Sequence, residues 1–236
     1  MKQLHELQRI ILKKLLFAPH LRYSDMKPSK DTENNQFQFH VDTLTTMGYI
    51  TKSDRYYELT QSGKEYANRI DTDTTEVKKQ AKISAWVCAR KTIGNQRQYL
   101  LYTRLKQPFY GAQGFMSGKV GYGETVLEAA KRELQEETGL IGEPYHIGTF
   151  HYRVFDQVSK ELIEDKFMFL CNIDEPQGEI RPHNEGLYEW ISESDFKEKV
   201  TNHFESFESF LHYIDVVKKF SGTAQLFEID HYTSKF

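Results

Sequence analysis

The stretch of residues 118–140, GKVGYGETVLEAAKRELQEETGL, constrains the fold of this 236-residue chain more than any other feature. Thr125, with Glu128 three positions later, forms a capping box that predicts the start of a helix. Gly139 is the residue type that commonly ends a helix. We therefore predict a helix from Val126 to Thr138, preceded by a glycine-rich loop in which the backbone can approach another group closely. The apolar stripe expected to face the core consists of Leu127, Ala130 and Leu134.

Three glutamates crowd the last two turns of this predicted helix: Glu133, Glu136 and Glu137. They project from one arc of the helix, where the negative end of the helix dipole disfavours each carboxylate by about 0.3–1 kcal/mol. No Lys or Arg follows any of them at i+4 to offset the repulsion. A bound cation would offset it, and oxygen-only ligands suit Mg²⁺ or Mn²⁺. On the helix alone, an ordinary solvated acidic face is an equal alternative.

The full spacing of this stretch is more specific than the helix. Gly118, five residues, Glu124, seven residues and then RELQEETGL follow a fixed pattern of small, charged and apolar positions. With seven fixed residue types at roughly 5–7% frequency each, a chance match falls below about one in a million. Position by position, the stretch resembles the box of the Nudix hydrolase family. The resemblance extends from Ala81 to roughly Val200.

The resemblance implies an α/β (α+β) fold in which a mixed sheet is sandwiched between helices. It also implies a metal-dependent hydrolase that cleaves a diphosphate bond in a nucleoside diphosphate derivative, with Mg²⁺ or Mn²⁺ as cofactor. Carried over residue by residue, the resemblance assigns Glu133, Glu136 and Glu137 as metal ligands and Arg132 as the residue that orients a box glutamate. Glu124 would be a further carboxylate that either binds the metal or positions one of its ligands. The backbone carbonyl of Ser117, beside Gly118, would be another metal ligand. One of the three glutamates is also able to serve as the base.

Beyond the box, an acidic residue often acts as base in this family; Glu185 is the candidate here, and Glu164 and Asp165 are rivals. The loop before the helix supplies the candidates for phosphate or substrate contact: Gly118, Lys119 and Phe115. Many relatives carry Trp-Gly-Phe-Pro-Gly-Gly-Lys in this loop, whereas this chain reads QGFMSGK at residues 113–119. The departure leaves the identity of the substrate open.

Residues 1–75 follow a different plan. Apolar residues at helical spacing predict a helix from Gln3 to Phe17 and another from about Asn35 to Met47, which Gly48 would end. YITKSDRYYELT then reads as two short strands, and TQSGKEYANRI as a last helix. This order of elements resembles the winged helix-turn-helix family, whose recognition helix enters the DNA major groove.

The candidate DNA contacts lie on the outward side of that recognition helix and on the wing: Gln38, His40, Thr43, Lys52 and Arg55. The helix has no Lys or Arg, so most of the electrostatic affinity for DNA would have to come from elsewhere. A protein-interaction or dimerisation module is the alternative interpretation. The fusion also leaves a second function open, a transcription regulator in which the Nudix domain senses a nucleotide metabolite with little turnover.

The chain divides into four predicted segments. They are a winged helix domain at 1–75, a linker at 76–82, a Nudix domain at 83–200, and a C-terminal helix with a tail at 201–236 that packs on the Nudix domain. The linker is predicted because it is polar and lacks aromatic residues. The C-terminal helix is predicted to be amphipathic from the helical spacing of its apolar residues, Phe204, Phe207, Leu211, Ile214 and Val217.

Composition excludes several classes of protein. Residues 1–80 hold 13 Lys and Arg against 11 Asp and Glu, and the rest hold 18 against 23, which is too little charge to argue nucleic-acid binding. No apolar run approaches the roughly 18 residues of a membrane span, and the N-terminus lacks the features of a secretory signal, so we expect a cytoplasmic protein without membrane contact. Cys88 and Cys171 lie in apolar strand-like runs, which predicts buried reduced thiols. A homodimer is an open alternative to a monomer.

Overall fold

The computed structural model describes residues 4–29 and 31–235 and divides the chain into two compact units, Met1–Lys79 and Gln80–Phe236. Gln3, at which the predicted first helix begins, and Phe236, at the end of the predicted tail, lie outside the described residues. Within the described ranges, no helix combines the length and the apolar character that a membrane crossing requires.

The first unit is a small helical domain with one three-stranded sheet. Its elements are α1 (Glu6–Leu16), β1 (Leu21–Arg22), α2 (Tyr23–Met26), α3 (Asn34–Thr46), β2 (Ile50–Ser53), β3 (Tyr56–Leu59) and α4 (Gln61–Ala67). The strands pair in the order β1-β3-β2, and both pairings are antiparallel. The predicted helices and the predicted hairpin are present. The assignment of these elements to the winged-helix family stays a prediction.

His40 does not lie on the outward side of α3, where the sequence placed it. Its side chain is buried, and its ring stacks on that of His5 with 4.3 Å between the ring centroids. The reason is helical geometry, since Phe37, Val41 and Leu44 form the core face of α3 and a residue three positions after Phe37 falls on the same face. The expectation that His40 is exposed was therefore wrong.

The second unit is built on one mixed sheet. Its elements are β4 (Lys82–Ile93), β5 (Gln96–Arg104), β6 (Gln113–Gly114), β7 (Met116–Lys119), α5 (Val126–Thr138), β8 (Pro144–Asp156), β9 (Leu162–Asp174), β10 (Gly186–Ser192), a 3₁₀ turn (Glu193–Asp195), α6 (Phe196–Lys199), α7 (Phe207–Lys218) and β11 (Gln225–Thr233). The strand order is β10-β5-β4-β9-β8-β11, with β6 added to β5 and β7 to β4. β4 runs parallel to β9 and β11 parallel to β8, while the other pairings are antiparallel. The predicted α+β class with a mixed sheet is confirmed.

Helices cover both faces of this sheet. Successive side chains of a strand point to opposite faces, and in β4 the odd residues Ala85 and Val87 pack with α5, whereas Trp86 and Cys88 pack in the cluster that contains α7. The predicted helix–sheet–helix layering is therefore present. Both cysteines are buried and unpaired, as predicted.

Two helix faces and one strand differ from the sequence prediction. Leu127 is 42% exposed, and Ala129 joins Ala130 and Leu134 on the buried face of α5. Of the predicted apolar stripe, Ile214 and Val217 are buried and Phe204 and Phe207 pack on the core, but Leu211 is 41% exposed, and Phe210 and Tyr213 are buried instead. The tail forms β11, which was not predicted.

Candidate functional site

The helix α5 begins and ends as its sequence predicts. The Thr125 hydroxyl accepts a hydrogen bond from the backbone N–H of Glu128 at 3.3 Å, and the Glu128 carboxylate accepts one from the backbone N–H of Thr125 at 2.8 Å. Gly139 ends the helix in the left-handed region with φ of 77°. Because both ends are fixed locally, the side chains of the last two turns have defined directions.

Arg132 forms hydrogen bonds with three acidic side chains at the same time. Its guanidinium donates to Glu124 at 2.7 Å, to Glu133 at 2.8 Å and to Glu136 at 3.0 Å, and also to the backbone carbonyl of Lys119 at 3.0 Å. Arg132 precedes Glu136 by one turn and pairs with it, so this cation lies N-terminal to the glutamates rather than after them. The acidic face is therefore partly neutralised by the chain itself.

Glu124 anchors this guanidinium. Its carboxylate accepts from Nε and Nη2 of Arg132 and from the backbone N–H of Gly121 at 2.8 Å. The hydrogen bonds from Arg132, and after them the one from Gly121, lower the pKa of Glu124 to about 2. Glu124 is thus ionised at neutral pH and holds Arg132 against β7.

Gly118 makes room for Glu133. It lies in β7 opposite Ala85 of β4, and a Cβ built on Gly118 would overlap the carboxylate carbon of Glu133. Glu133, with its side chain only 13% exposed, lies directly against the backbone of β7. Only glycine permits this approach, which explains in physical terms why the loop before the helix needs a glycine at this position.

Glu137 is the most buried of the three glutamates. It is 7% exposed and accepts a hydrogen bond from the phenol of Tyr188. Burial raises the pKa of Glu137, and the nearby charge of Glu133 raises it further, although the Tyr188 hydrogen bond opposes the shift. A cation bound beside this carboxylate would stabilise its charged form, because burial removes the water that would otherwise do so.

A cleft of about 650 Å³ brings these groups together with basic side chains. Its acidic lining residues are Glu133, Glu136, Glu137, Glu164 and Glu185. Its basic lining residues are Lys82, Arg104, Lys106, Lys119 and Lys166, with His183 beside them. Ser117 and Gly118 also line it, as the sequence predicts. The cleft can therefore receive a ligand that carries negative charge and, beside it, a positive ion.

The candidates for the base occupy different places. Glu185 lies in the cleft, 44% exposed, and forms an ion pair with Lys106. Glu164 also lies in the cleft, paired with Lys82 at 2.7 Å and with Lys166 at 3.6 Å.

The third candidate base, Asp165, instead contacts His151 at 2.9 Å. Asp165 alternates with Glu164 along β9 and so points to the other face of the sheet. The structure therefore brings Glu185 and Glu164, but not Asp165, to the cleft.

Phe115 is not part of the cleft wall. Its side chain is 4% exposed and packs on Trp86 and Phe210 in the core. Phe115 and Ser117 are two positions apart and share a face, and both line an aromatic cavity beside the cleft, but only Ser117, which lies in β7, also reaches the cleft. Phe115 therefore does not line the cleft, and its contact with a phosphate or another part of a substrate stays a prediction.

The residues present suit a divalent cation by donor chemistry. Carboxylate oxygens of Glu133, Glu136 and Glu137 line one cleft, and Gly118 leaves Glu133 the space that a side chain would fill. Within residues 4–29 and 31–235, no three acidic, His or Cys side chains already converge on one point. Glu136 is turned toward Arg132, and its carboxylate is 60% exposed and free to reorient.

Sequence reasoning missed several cleft residues. Lys106 and Lys166 are distant from the box in sequence, and Tyr188 reaches Glu137 from β10. Burial lowers the pKa of both lysines, with Glu164 opposing the shift at Lys166. The only signal in the sequence was their position at or just after a predicted strand, which many surface lysines share.

The candidate DNA contacts in the first unit are placed unevenly. Gln38 is exposed but hydrogen-bonds Asp42 at 2.8 Å, and the Thr43 hydroxyl donates to the backbone carbonyl of Phe39 at 2.7 Å. Lys52 and Arg55 are exposed on the β2–β3 hairpin. Two of the helix candidates are therefore engaged within α3, and the two cations lie on the hairpin.

Comparison with protein families places most of the second unit in a known family. The family model of the NUDIX domain matches residues 80–211, more than half of the chain. An ADP-ribose pyrophosphatase of Methanocaldococcus jannaschii is 35% identical over 89 residues, which are 38% of this chain and 53% of that protein. The chain thus spans about half the length of this curated relative.

Solved structures agree on the fold. A mutator MutT protein from Bacillus halodurans superposes with a TM-score of 0.50 at 22% identity, covering 66% of this chain and 93% of that one. The NUDIX domain of Shewanella oneidensis NrtR, crystallised with ADP ribose, gives a TM-score of 0.49 at 16% identity, covering 68% of this chain and 98% of that one. The first likeness shows a shared fold, and the second is too distant to carry a conclusion.

Proposed function

The chain belongs to the NUDIX domain family, and we propose that its second unit is a metal-dependent hydrolase that cleaves a diphosphate bond in a nucleoside diphosphate derivative. One observation carries the proposal: the three carboxylates of α5 and five basic side chains line the same cleft. A diphosphate needs the basic groups, and its cleavage needs the acidic ones. ADP-ribose is the first substrate to test, because the curated relative is an ADP-ribose pyrophosphatase.

In this proposal Glu133, Glu136 and Glu137 hold Mg²⁺ or Mn²⁺. The cation, when bound, neutralises diphosphate charge and lowers the pKa of a bound water. The chain supplies orientation, since Arg132 fixes Glu133 and Glu124 fixes Arg132. The remaining work of attracting and positioning the phosphates falls to the lysines of the cleft.

We assign proton abstraction from the attacking water to Glu185. It lies in the cleft at the end of the loop before β10, where it forms an ion pair with Lys106 and presents a carboxylate that can accept a proton. Glu164 is a weaker candidate because Lys82 and Lys166 both engage it. Glu185→Gln is expected to remove the acidic limb of the pH–rate profile, whereas Glu164→Gln leaves that limb in place; the opposite pattern would reassign the base.

The decisive experiment is hydrolysis by the full chain. The protein is incubated with Mg²⁺ or Mn²⁺ and a panel of nucleoside diphosphate derivatives, ADP-ribose first, and products are resolved by ³¹P NMR. We expect turnover that Glu136→Gln or Glu137→Gln lowers on the order of 100-fold or more, because each removes a charged ligand that no neighbour replaces.

The matched control is Glu143→Gln. Glu143 is an exposed carboxylate that pairs with Lys131 just after α5 and away from the cleft, so its variant should keep full activity. Unchanged turnover in Glu136→Gln and Glu137→Gln would contradict the metal assignment. Absence of cleavage across the whole panel would contradict the proposed activity.

A second candidate function concerns the first unit. Lys52 and Arg55, exposed on the β2–β3 hairpin, favour contact with a phosphate backbone. We propose that residues 1–75 form a winged helix that binds DNA mainly through this hairpin. The chain would then be a transcription regulator in which the second unit senses a nucleotide metabolite with little turnover.

A salt-dependent gel shift on DNA from the protein's own promoter tests this candidate. Replacing Lys52 and Arg55 by Ala should weaken binding and reduce the slope of log affinity against log salt by roughly one per cation. Lys64→Ala, on the exposed side of α4, is the control. Full turnover together with no specific DNA binding at low salt would reject the regulator.

A further inference from the structure

An aromatic cavity lies beside the proposed catalytic cleft, between the sheet and α7. Seven Trp, Phe and Tyr side chains line it: Trp86, Phe109, Phe115, Tyr152, Phe204, Phe210 and Tyr213. Its volume of about 60 Å³ is space for about four to six water molecules, since one buried water needs about 10–15 Å³ on the same measure. A flat heterocycle that enters this space would be held by stacking and apolar contact.

The cavity adjoins the cleft. Phe109, Ser117, Lys166 and Phe204 line both spaces. A ring system attached to a diphosphate that lies among the cleft lysines is therefore within reach of the cavity. Lys166, with its side chain 19% exposed, stands at this junction.

The cavity contains an acceptor for hydrogen bonds. Both carboxylate oxygens of Glu205 accept from the phenol of Tyr213, at 2.7 Å each. An ionised carboxylate has about four acceptor positions and no donor, so Glu205 keeps capacity for further N–H groups. Tyr213 holds the carboxylate at the cavity wall, where the carboxylate can accept hydrogen bonds from N–H groups of a bound ligand.

A second polar atom in the cavity lacks a partner. His203 lines the cavity, and its Nε2 is buried with no hydrogen-bond partner among residues 4–29 and 31–235. A buried polar nitrogen without a partner is costly, and a ligand atom would relieve that cost. In the Nε2–H tautomer it donates to a ring nitrogen.

Gln113 holds the loop that carries these two residues. Its side-chain oxygen accepts from the backbone N–H of Thr201 at 2.8 Å and of Asn202 at 3.1 Å, and its amide donates to the carbonyl of Lys199 at 3.0 Å. Many relatives have Trp at this position. The substitution by Gln thus fixes the segment just before His203 and Glu205 in this chain.

We propose that this cavity binds the base of the nucleoside diphosphate substrate and that Glu205 and His203 select a 6-aminopurine. Glu205 accepts from the exocyclic amino group, and His203 donates to the adjacent ring nitrogen. The inference rests on the proposed function for the identity of the ligand. It adds a specificity-determining pair that lies outside the glutamate helix.

The test measures binding of AMP, IMP and GMP to the full chain by isothermal titration calorimetry. These probes contain the base but no diphosphate bond, so their binding is measured whether or not the protein hydrolyses anything. AMP should bind at least about tenfold more tightly than IMP, whose oxygen at position 6 would face the Glu205 carboxylate. AMP should also bind more tightly than GMP.

Glu205→Gln is the informative variant. The side chain keeps its size, but its amide can present N–H groups, which favour the oxygen of IMP over the amino group of AMP. The ratio of AMP to IMP affinity should therefore fall to near or below one. Glu208→Gln, an exposed carboxylate in the first turn of the same α7, should leave the ratio unchanged.

Several results would overturn the inference. They are equal affinity for AMP and IMP, tighter binding of GMP than of AMP, an unchanged ratio in Glu205→Gln, or no binding of any of the three at up to about 1 mM. Selective AMP binding without hydrolysis of any diphosphate would instead reject the proposed activity and keep the base site. Hydrolysis that does not discriminate ADP-ribose from its hypoxanthine analogue would reject the base site and keep the proposed activity.

Discussion

The helices α3 and α5 have the same length of 13 residues, and a comparison of the two separates folding from function. Both are followed within two residues by a glycine in the left-handed region, Gly48 with φ of 72° and Gly139 with φ of 77°. At their N-termini they differ. Thr125 caps α5 with a hydrogen-bonded box, whereas Glu33, before α3, makes no side-chain cap hydrogen bond.

The polar faces differ more. On α5 the face holds glutamates that converge on one arginine and one cleft. On α3 the exposed side chains include Phe39, 65% exposed, and a Gln38–Asp42 pair that satisfies itself. Polar side chains of a helix that converge on one cleft indicate a ligand, whereas polar side chains that pair with each other along the same helix do not.

Among the substitutions that test the difference between α3 and α5, Gly118→Ala is expected to have the largest effect. The added methyl group would overlap the carboxylate of Glu133, which must then leave its place against β7. We expect activity to fall on the order of 100-fold, because a shift of about 1 Å in a positioned group has this consequence. Steady-state hydrolysis of the substrate found in the panel measures the effect.

A double-mutant cycle identifies the cause of that loss. In a Glu133→Ala background, Gly118→Ala should reduce activity little further, since the clashing carboxylate is gone. Equal losses from Gly118→Ala in both backgrounds would show that the glycine acts through the backbone instead.

The two helix stops allow the next comparison. Gly139→Ala and Gly48→Ala should each destabilise their unit by about 1–2 kcal/mol, because both replace glycine at positive φ. The cost should be larger at Gly139, where a Cβ would lie 3.0 Å from Cδ of Arg181, than at Gly48, where it meets open space. Hydrogen exchange resolved by unit measures both. Similar costs at the two sites would mean that Arg181 moves aside freely.

The helix starts should differ as well. Thr125→Ala removes the capping hydrogen bond of α5 and should cost about 1 kcal/mol, whereas Glu33→Ala at the start of α3 should cost close to nothing. Urea unfolding, followed by probes specific to each unit, provides the values. A substantial loss from Glu33→Ala would disprove the difference between the two caps.

The smallest effect expected is a pH dependence confined to the first unit. Burial, and after it the charge of His5, lowers the pKa of His40 in the folded state below the unfolded value of about 6.5. The unfolded chain therefore binds protons more readily, so stability is full above that value and declines as the pH falls below it.

Matched histidine variants can isolate this contribution. His40→Phe keeps a stacking ring without the titration and should flatten the acid limb of stability in the first unit, and His20→Gln, at an exposed position, should not. An acid limb unchanged by His40→Phe would assign the pH dependence to other groups.

Local patterns in the sequence were enough for most of the elements. The bounds of α5, its cap and its stop follow from Thr125, Glu128 and Gly139, because each acts on neighbours within a few residues. The hairpin of the first unit and the strands β4 and β5 follow from alternating runs between turn residues. The strand β11 and the burial of Phe210 and Tyr213 in α7 could not be predicted in this way, because they depend on a partner strand and on the sheet face that the helix covers.

The same limit applies to the site. The spacing in residues 118–140 pointed to Glu133, Glu136 and Glu137 as a group, and to Arg132 as their neighbour. The helical pattern of the first unit put His40 on the outward side of α3, but His40 is buried, because the orientation of a helix on its core depends on the whole fold. Phe115, a candidate for phosphate or substrate contact from the loop before α5, is buried outside the cleft, and only the tertiary structure could show that position.

The sequence by itself determined the family, the glutamate helix and the donor chemistry of its acidic face, since these depend on residue types at short and fixed separations. The tertiary structure decided that Glu137 is buried under Tyr188, that Lys106 and Lys166 line the same cleft, and that Gln113 ties down the loop of His203 and Glu205. These contacts join residues about 50–90 positions apart. Hydrophobic burial brings such residues together, and because it is non-directional, the sequence does not indicate which distant residues will meet.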